Sequence, residues 1–244
     1  MAAAASSDEY RVYVLLLGEA GVGKTTLAQH LAGGDAGFDA AARFPVTLGV
    51  EFLTCRFPLH LRGSGGIVDV VVFLMDMPGG LERAGLVRSF YRNARVILML
   101  YDVARRATFD ALGARWWLDV RDYAPGERAL VVVGNKSDLL GTAAGAAAAV
   151  PLDEARAWAT SIGAQQLYQC SAQRDTHAAL LGPLMAAVAD VVETQAGERR
   201  DGVALRARAD ALRQQNAALA EGLRVQDAPR GDGAAVSACS CSTL

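Results

Sequence analysis

Apolar residues in this chain gather in short blocks. Residues 10–17 form one such block, followed by a glycine-punctuated turn and then by the helix-patterned stretch 26–32. Residues 50–61 alternate apolar and polar positions, as a half-buried strand does, and the turn Arg62-Gly63-Ser64-Gly65-Gly66 leads into 67–75, nearly continuous in Val and Leu. This pair is predicted to form an antiparallel hairpin. Residues 95–101, 129–133 and 166–170 read as further short buried strands, while 107–123, 153–162 and 176–195 carry helical spacing. Strands that alternate with helices imply a mostly parallel sheet covered on both faces, with ligands bound beyond the carboxyl ends of its strands. Residues 33–44 read as an exposed loop, and the Ala/Gly run 142–149 as a low-complexity loop insertion without chemistry.

Candidate chemistry begins in the first turn. Gly18-Glu19-Ala20-Gly21-Val22-Gly23-Lys24-Thr25 fits the pattern GxxxxGK[ST] between a strand and a helix. Gly18, Gly21 and Gly23 open backbone conformations closed to other residues, so that successive N–H groups can surround a phosphate. The start of the helix adds unpaired N–H groups and the positive end of its dipole. Lys24 can then reach the β- and γ-phosphate oxygens and is the candidate catalytic cation, the Thr25 hydroxyl can ligate Mg²⁺, and Thr26 is a candidate for the same nucleotide-binding set. The competing reading is a plain glycine-rich turn. Lysine usage argues against it: Lys24 and Lys136 are the chain's two lysines against 22 arginines, and they stand where a compact ammonium is needed rather than a planar fork.

Two later strand ends carry matching chemistry. Asp76-Met77-Pro78-Gly79 follows the third strand, where the carboxylate can hold Mg²⁺ through a water and the Gly79 N–H can approach a γ-phosphate; a Pro-Gly turn capped by Asp is the bland alternative. Asn135-Lys136-Ser137-Asp138 follows the fifth strand. The Asp138 carboxylate can accept two charge-assisted hydrogen bonds from guanine N1–H and its exocyclic amine, which adenine cannot supply. Lys136 can cover the base, and Asn135 can tie this loop to the phosphate loop. Ser171-Ala172-Gln173, after the last strand, places the Ala172 N–H toward guanine O6.

In order and spacing, residues 10–195 resemble a small GTPase of the Ras superfamily, and specifically the Rab family. The Rab likeness is carried by Leu48-Gly49-Val50-Glu51-Phe52, Phe90-Tyr91-Arg92-Asn93-Ala94, Tyr101-Asp102-Val103 and Thr108-Phe109. The resemblance implies an α/β P-loop NTPase fold, a three-layer sandwich around a six-stranded, mostly parallel sheet with one antiparallel strand. It also implies a GTP/GDP cycle with Mg²⁺ that serves vesicle traffic. Thr47 is then the switch I threonine that ligates Mg²⁺ and senses the γ-phosphate. Effectors are expected at switches I and II, with an exchange factor and a GTPase-activating protein as regulators.

Three departures modify these expectations. The family's switch II reads Asp-Thr-Ala-Gly-Gln-Glu, and an ungapped match places Gly80 at the water-orienting Gln and Leu81 at the following Glu. Met75 replaces the usual Trp, which is expected to alter the effector-facing surface. Ala40 falls where an aromatic flanks the guanine, with Phe38 nearby. Slow intrinsic hydrolysis is therefore expected, the alternative being a scaffold that holds GTP and hydrolyses it negligibly. A coiled-coil interaction protein with a vestigial nucleotide site is harder to reconcile with the two lysines.

Composition limits the remaining classes. The chain has 244 residues, 52% hydrophobic, with a net charge of −2, which gives no reason to expect nucleic acid as a partner. Four cysteines make neither a disulfide framework nor a zinc pattern, so a reducing, cytoplasmic setting is expected. Residues 1–9 lack the features of a signal peptide and read as disordered; Ala2 excludes N-myristoylation, and apolar runs of strand length predict no transmembrane helix.

Residues 196–244 form a variable tail. Leu205, Leu212 and Leu219 recur at seven, with Ala209, Asn216 and Leu223 at the complementary position, a pattern open either to a dimer through a short coiled coil or to a solvated helix. The chain ends Cys239-Ser240-Cys241-Ser242-Thr243-Leu244. Cys241 stands fourth from the end, as prenylation requires, and Cys239 offers a second site. Lipid there would place the protein on the cytosolic face of an endomembrane; two unmodified thiols are the alternative.

Overall fold

The tight connection after residue 60 decides the relative direction of one strand pair. β2 (Glu51–His60) and β3 (Ile67–Asp76) are joined by too few residues for a parallel crossover, so they pair antiparallel from Glu51 opposite Asp76 to His60 opposite Ile67. Leu61 N donates to Gly66 O at 2.9 Å to close the turn. The other strands, β1 (Glu9–Leu17), β4 (Val96–Asp102), β5 (Ala129–Asn135) and β6 (Gln166–Gln169), pair in parallel, in the order β2-β3-β1-β4-β5-β6. The computed structural model describes residues 9–37, 49–62, 66–79, 87–124, 126–147 and 149–226.

Successive residues of a strand face opposite sides, so each buried strand feeds two cores. One face carries Val12, Val14 and Leu16 with Val70, Val72 and Leu74, Leu98 and Val131, against Leu27 and Leu31 of α1 (Lys24–Gly37) and Leu180, Leu184, Val188 and Val192 of α7 (His177–Gln226). The other carries Leu15, Leu17, Met75, Ile97, Met99 and Val132. It is covered by α2 (Val87–Asn93), α3 (Arg106–Ala111), α4 (Trp117–Tyr123) and α6 (Leu152–Ser161). The result is the expected three-layer sandwich with one antiparallel strand. Truncating a fully buried core residue such as Leu98 to alanine removes about 2–5 kcal/mol in a packed interior of this kind.

Four local readings change. The helix expected over 107–123 is interrupted by a π-turn, Leu112–Trp116, which re-aims Trp116 toward the first loop. The first helix continues to Gly37, with a break at Gly34 (φ 64°, ψ −178°), where a loop was expected. Within the Ala/Gly run, Ala143–Ala147 is a short helix, α5, packed on the 3₁₀ turn Ser137–Gly141. Gly145 is buried there with its N–H on Thr142 Oγ1, and a Cβ would lie 2.0 Å from Leu139 O. The run thus buttresses the turn that carries Asp138. Finally, Met75 is 1% exposed, so replacing the usual Trp alters the packing beneath the surface and not the surface itself.

The chain divides into two compact units, Met1–Ala196 and Gly197–Leu244. The segment His177–Asp201 is long and apolar enough to cross a membrane by length and composition, where none was expected. Its apolar stripe, Leu180, Leu184, Val188 and Val192, is buried in the core, as in the core helix of a globular unit.

Candidate functional site

The carboxyl ends of β1, β3 and β5, with the loop after β6, are tied to one another by side-chain hydrogen bonds. Gly18, Gly21 and Gly23 take positive φ angles of 143°, 76° and 95°, so the turn from β1 into α1 needs the freedom of glycine at each. Lys24 is 6% exposed and its Nζ donates to Gly18 O at 2.8 Å and to Glu19 O at 3.0 Å. The ammonium is therefore folded across its own loop. Burial lowers its pKa to about 8, against the opposing pull of Asp76 and Glu19.

Thr25 Oγ1 donates to Asp76 Oδ2, joining the start of α1 to the end of β3. Asp76 is fully buried, and desolvation raises its pKa against the Thr25 hydrogen bond and the Lys24 charge. Its second oxygen, Oδ1, has no hydrogen-bond partner among the described residues. An orphaned buried carboxylate oxygen beside a threonine hydroxyl is a donor set that suits a hard divalent cation. Three residues on, Gly79 lies against the loop: a Cβ would be 2.3 Å from Ala20 N. Only glycine fits so close to that backbone.

Asn135 is the junction of the base side. Its Nδ2 donates to Val22 O at 2.8 Å, while its Oδ1 accepts Lys136 N at 2.8 Å and Ala172 N at 2.9 Å. The Ala172 N–H, expected to face guanine O6, is thus directed at Asn135, because a buried amide oxygen demands donors. Lys136 is left-handed at φ 65°, a conformation that costs a non-glycine residue roughly 1–2 kcal/mol and recurs at functional sites. Its Nζ donates to Gly21 O at 2.6 Å and to Asp102 Oδ2 at 2.8 Å. Asp138 Oδ1 accepts Ser171 Oγ at 2.7 Å, and Arg174 Nε lies 3.6 Å from the other oxygen. Gly23, Thr26, Asn135, Lys136, Asp138 and Ser171, with Leu139, Ala172 and Gln173, line a cleft of about 120 Å³ that opens to solvent.

Three contacts had no sequence signal. Glu19 Oε1 accepts Trp116 Nε1 at 3.1 Å and lies 3.6 Å from Arg115 Nη1, which anchors the phosphate loop to the π-turn. Arg105 Nη2 donates to Ala20 O at 2.9 Å. Thr47, Gly80, Cys239 and Cys241 lie outside the described residues, as do Phe38 and Ala40.

The sheet order, with its one antiparallel edge strand and a glycine turn between β1 and α1, defines a P-loop nucleoside-triphosphate-binding fold. A family model described as the Ras family matches residues 13–185. The chain belongs to the Ras family and is a small GTPase of the Ras superfamily: a GTP-binding switch with GTPase activity, governed by regulators and read by effectors. Ras-family GTPases bind guanine nucleotides, generally with Mg²⁺.

Proposed function

We propose that this protein is a Rab-like guanine-nucleotide switch of vesicle traffic, in which the cleft holds GTP or GDP and Asp138 selects guanine. The observation that carries this reading is the convergence of four loops, joined by Asn135 to Val22, Lys136 to Gly21, Thr25 to Asp76 and Asp138 to Ser171. Thr25 and Asp76 are the described residues that would hold Mg²⁺, with Thr47 completing the set. When bound, the ion would neutralise charge on the β- and γ-phosphate oxygens. Lys24 supplies a second positive charge to the same oxygens, and Gly79 offers its N–H beside Ala20. Identification of the nucleotide retained through gentle purification tests the reading: GDP or GTP is expected, and equal binding of ATP and GTP would end it.

The effector surface in this reading includes Phe52, 57% exposed, whose ring lies 5.8 Å from that of Phe90. Membrane attachment belongs to Cys241 with Cys239. One prenyl chain binds a membrane only marginally, and residues 193–233 balance seven arginines against seven acids, so no polybasic patch assists. Cell fractionation should move a Cys239→Ser, Cys241→Ser variant to the cytosol, with the single Cys239→Ser variant in between. Membrane recovery equal to wild type in the double variant would argue against a lipid anchor.

A second reading, a long-lived GTP-bound scaffold, is favoured by Gly80. Even with a water-orienting Gln, unaided Ras-type hydrolysis runs at only about 10⁻⁴ s⁻¹. Glycine offers no side-chain amide, so single-turnover hydrolysis should be slower than that and Gly80→Gln should accelerate it. A wild type at the usual intrinsic rate, unchanged by Gly80→Gln, would show that Glu82 or another residue positions the water.

A further inference from the structure

Five consecutive carbonyls of the phosphate loop are held by side chains, and one of the four side chains lies outside every motif identified in the sequence. Lys24 takes Gly18 O and Glu19 O, Lys136 takes Gly21 O, and Asn135 takes Val22 O. The carbonyl between them, Ala20 O, accepts Arg105 Nη2 at 2.9 Å. Arg105 falls between the Tyr101-Asp102-Val103 and Thr108-Phe109 strings and belongs to neither.

Its backbone is firmly placed. Arg105 N donates to Asp102 O at 3.0 Å, and its carbonyl accepts Thr108 N at 3.0 Å and Thr108 Oγ1 at 2.7 Å. Its Nε lies 3.9 Å from Asp102 Oδ2, the oxygen that also accepts Lys136 Nζ. One buried carboxylate therefore serves two cations that grip adjacent carbonyls of the loop. The guanidinium also lies over Gly21, where a Cβ would be 3.7 Å from Nη2.

A trans peptide is planar, with its C=O and the following N–H pointing to opposite sides. Holding Ala20 O outward consequently turns the Gly21 N–H to the inner side of the loop, and a cation on the carbonyl polarises that N–H as a donor. We propose that Arg105 is a nucleotide-retention residue. By fixing the Ala20–Gly21 peptide, it positions the Gly21 N–H for the diphosphate and slows nucleotide release. This role rests on the reading of the cleft as a guanine-nucleotide site, and it is a positioning role, exerted through the backbone.

The test compares Arg105→Ala and Arg105→Lys with wild type in the full-length protein with Mg²⁺. Dissociation of a fluorescent GDP and competition by GDP and by GMP are measured. Arg105→Ala should release GDP about tenfold faster and bind it about tenfold more weakly, while GMP, which has no β-phosphate, competes within twofold of wild type. Arg105→Lys should recover most of the loss, because one ammonium can still donate to Ala20 O. Unchanged GDP release in Arg105→Ala would overturn the proposal. So would an equal loss for GMP and GDP, which marks general loosening of the fold, or a lysine variant no better than alanine. A wild type that binds no guanine nucleotide would remove the site reading itself and this role with it.

Discussion

Replacing Lys24 with arginine should abolish tight nucleotide binding almost as completely as Lys24→Ala. The chain uses arginine nearly everywhere else, so by composition alone this is a mild change. The site rejects it for steric and geometric reasons. Lys24 is 6% exposed, and its compact ammonium is held by two loop carbonyls at 2.8 and 3.0 Å. A planar guanidinium cannot take both carbonyls and still face a phosphate within that turn. Charged hydrogen bonds are worth about 1.5–3 kcal/mol each, so loss of two predicts about 10²- to 10⁴-fold weaker GDP and GTP binding in either variant. Equilibrium titration checks this, with thermal unfolding as the control for folding. Near-wild-type affinity in Lys24→Arg would mean that the phosphates lie elsewhere.

The same side chain sets a pH dependence. Burial lowers its pKa to about 8 from 10.5, so between those values the unfolded chain holds more protons than the folded, nucleotide-free protein. Stability of that form should therefore rise with pH across the window. Nucleotide affinity should move oppositely, because phosphate needs the ammonium: GDP binding is expected to weaken from about pH 8 upward. Lys24→Ala should lack this fall, which separates it from titration of the base.

How legible this was depends on where the information lies. The strands were readable because 67–75 and 129–133 are apolar on both faces, and the antiparallel β2 because five turn residues admit no crossover. The loops at their ends were readable because Gly18, Lys24, Asp76, Asn135 and Asp138 are contiguous motifs. Contacts between side chains and distant backbone were not. Nothing in the spacing of Arg105 announces a carbonyl 85 positions earlier, and Trp116 reads as a core aromatic until the π-turn directs its Nε1 to Glu19. Residues 143–147 read as featureless because alanine and glycine carry no polar signal, yet small size is what lets Gly145 sit under Leu139. The bond from Ala172 N–H to Asn135 Oδ1 carried no sequence signal for a related reason. Which acceptor a loop amide meets depends on the Asn135 rotamer, which sequence does not specify.

Asp138→Asn should weaken guanine-nucleotide binding by about 10²- to 10⁴-fold and shift preference to xanthine nucleotides. The carboxylate is acceptor-only, and Oδ1 already accepts Ser171 Oγ at 2.7 Å, which fixes its plane while leaving further lone pairs on both oxygens. Guanine presents two donors to such a group, N1–H and the exocyclic amine. An asparagine in the same rotamer keeps one acceptor and turns a donor toward the other position, so one donor of the base faces another. Each unsatisfied buried donor costs about 1–3 kcal/mol, added to the loss of two charge-assisted bonds. Xanthine carries a carbonyl where guanine carries the amine, and so it meets the asparagine N–H correctly. Ser171→Ala separates selection from orientation. It leaves the carboxylate but frees its plane, and is expected to weaken GDP about tenfold while guanine remains preferred over xanthine. Competition titrations with GDP and xanthosine diphosphate on both variants decide the point. If Asp138→Asn still prefers GDP, or if Ser171→Ala alone reverses the preference, the discriminating group is not the Asp138 carboxylate.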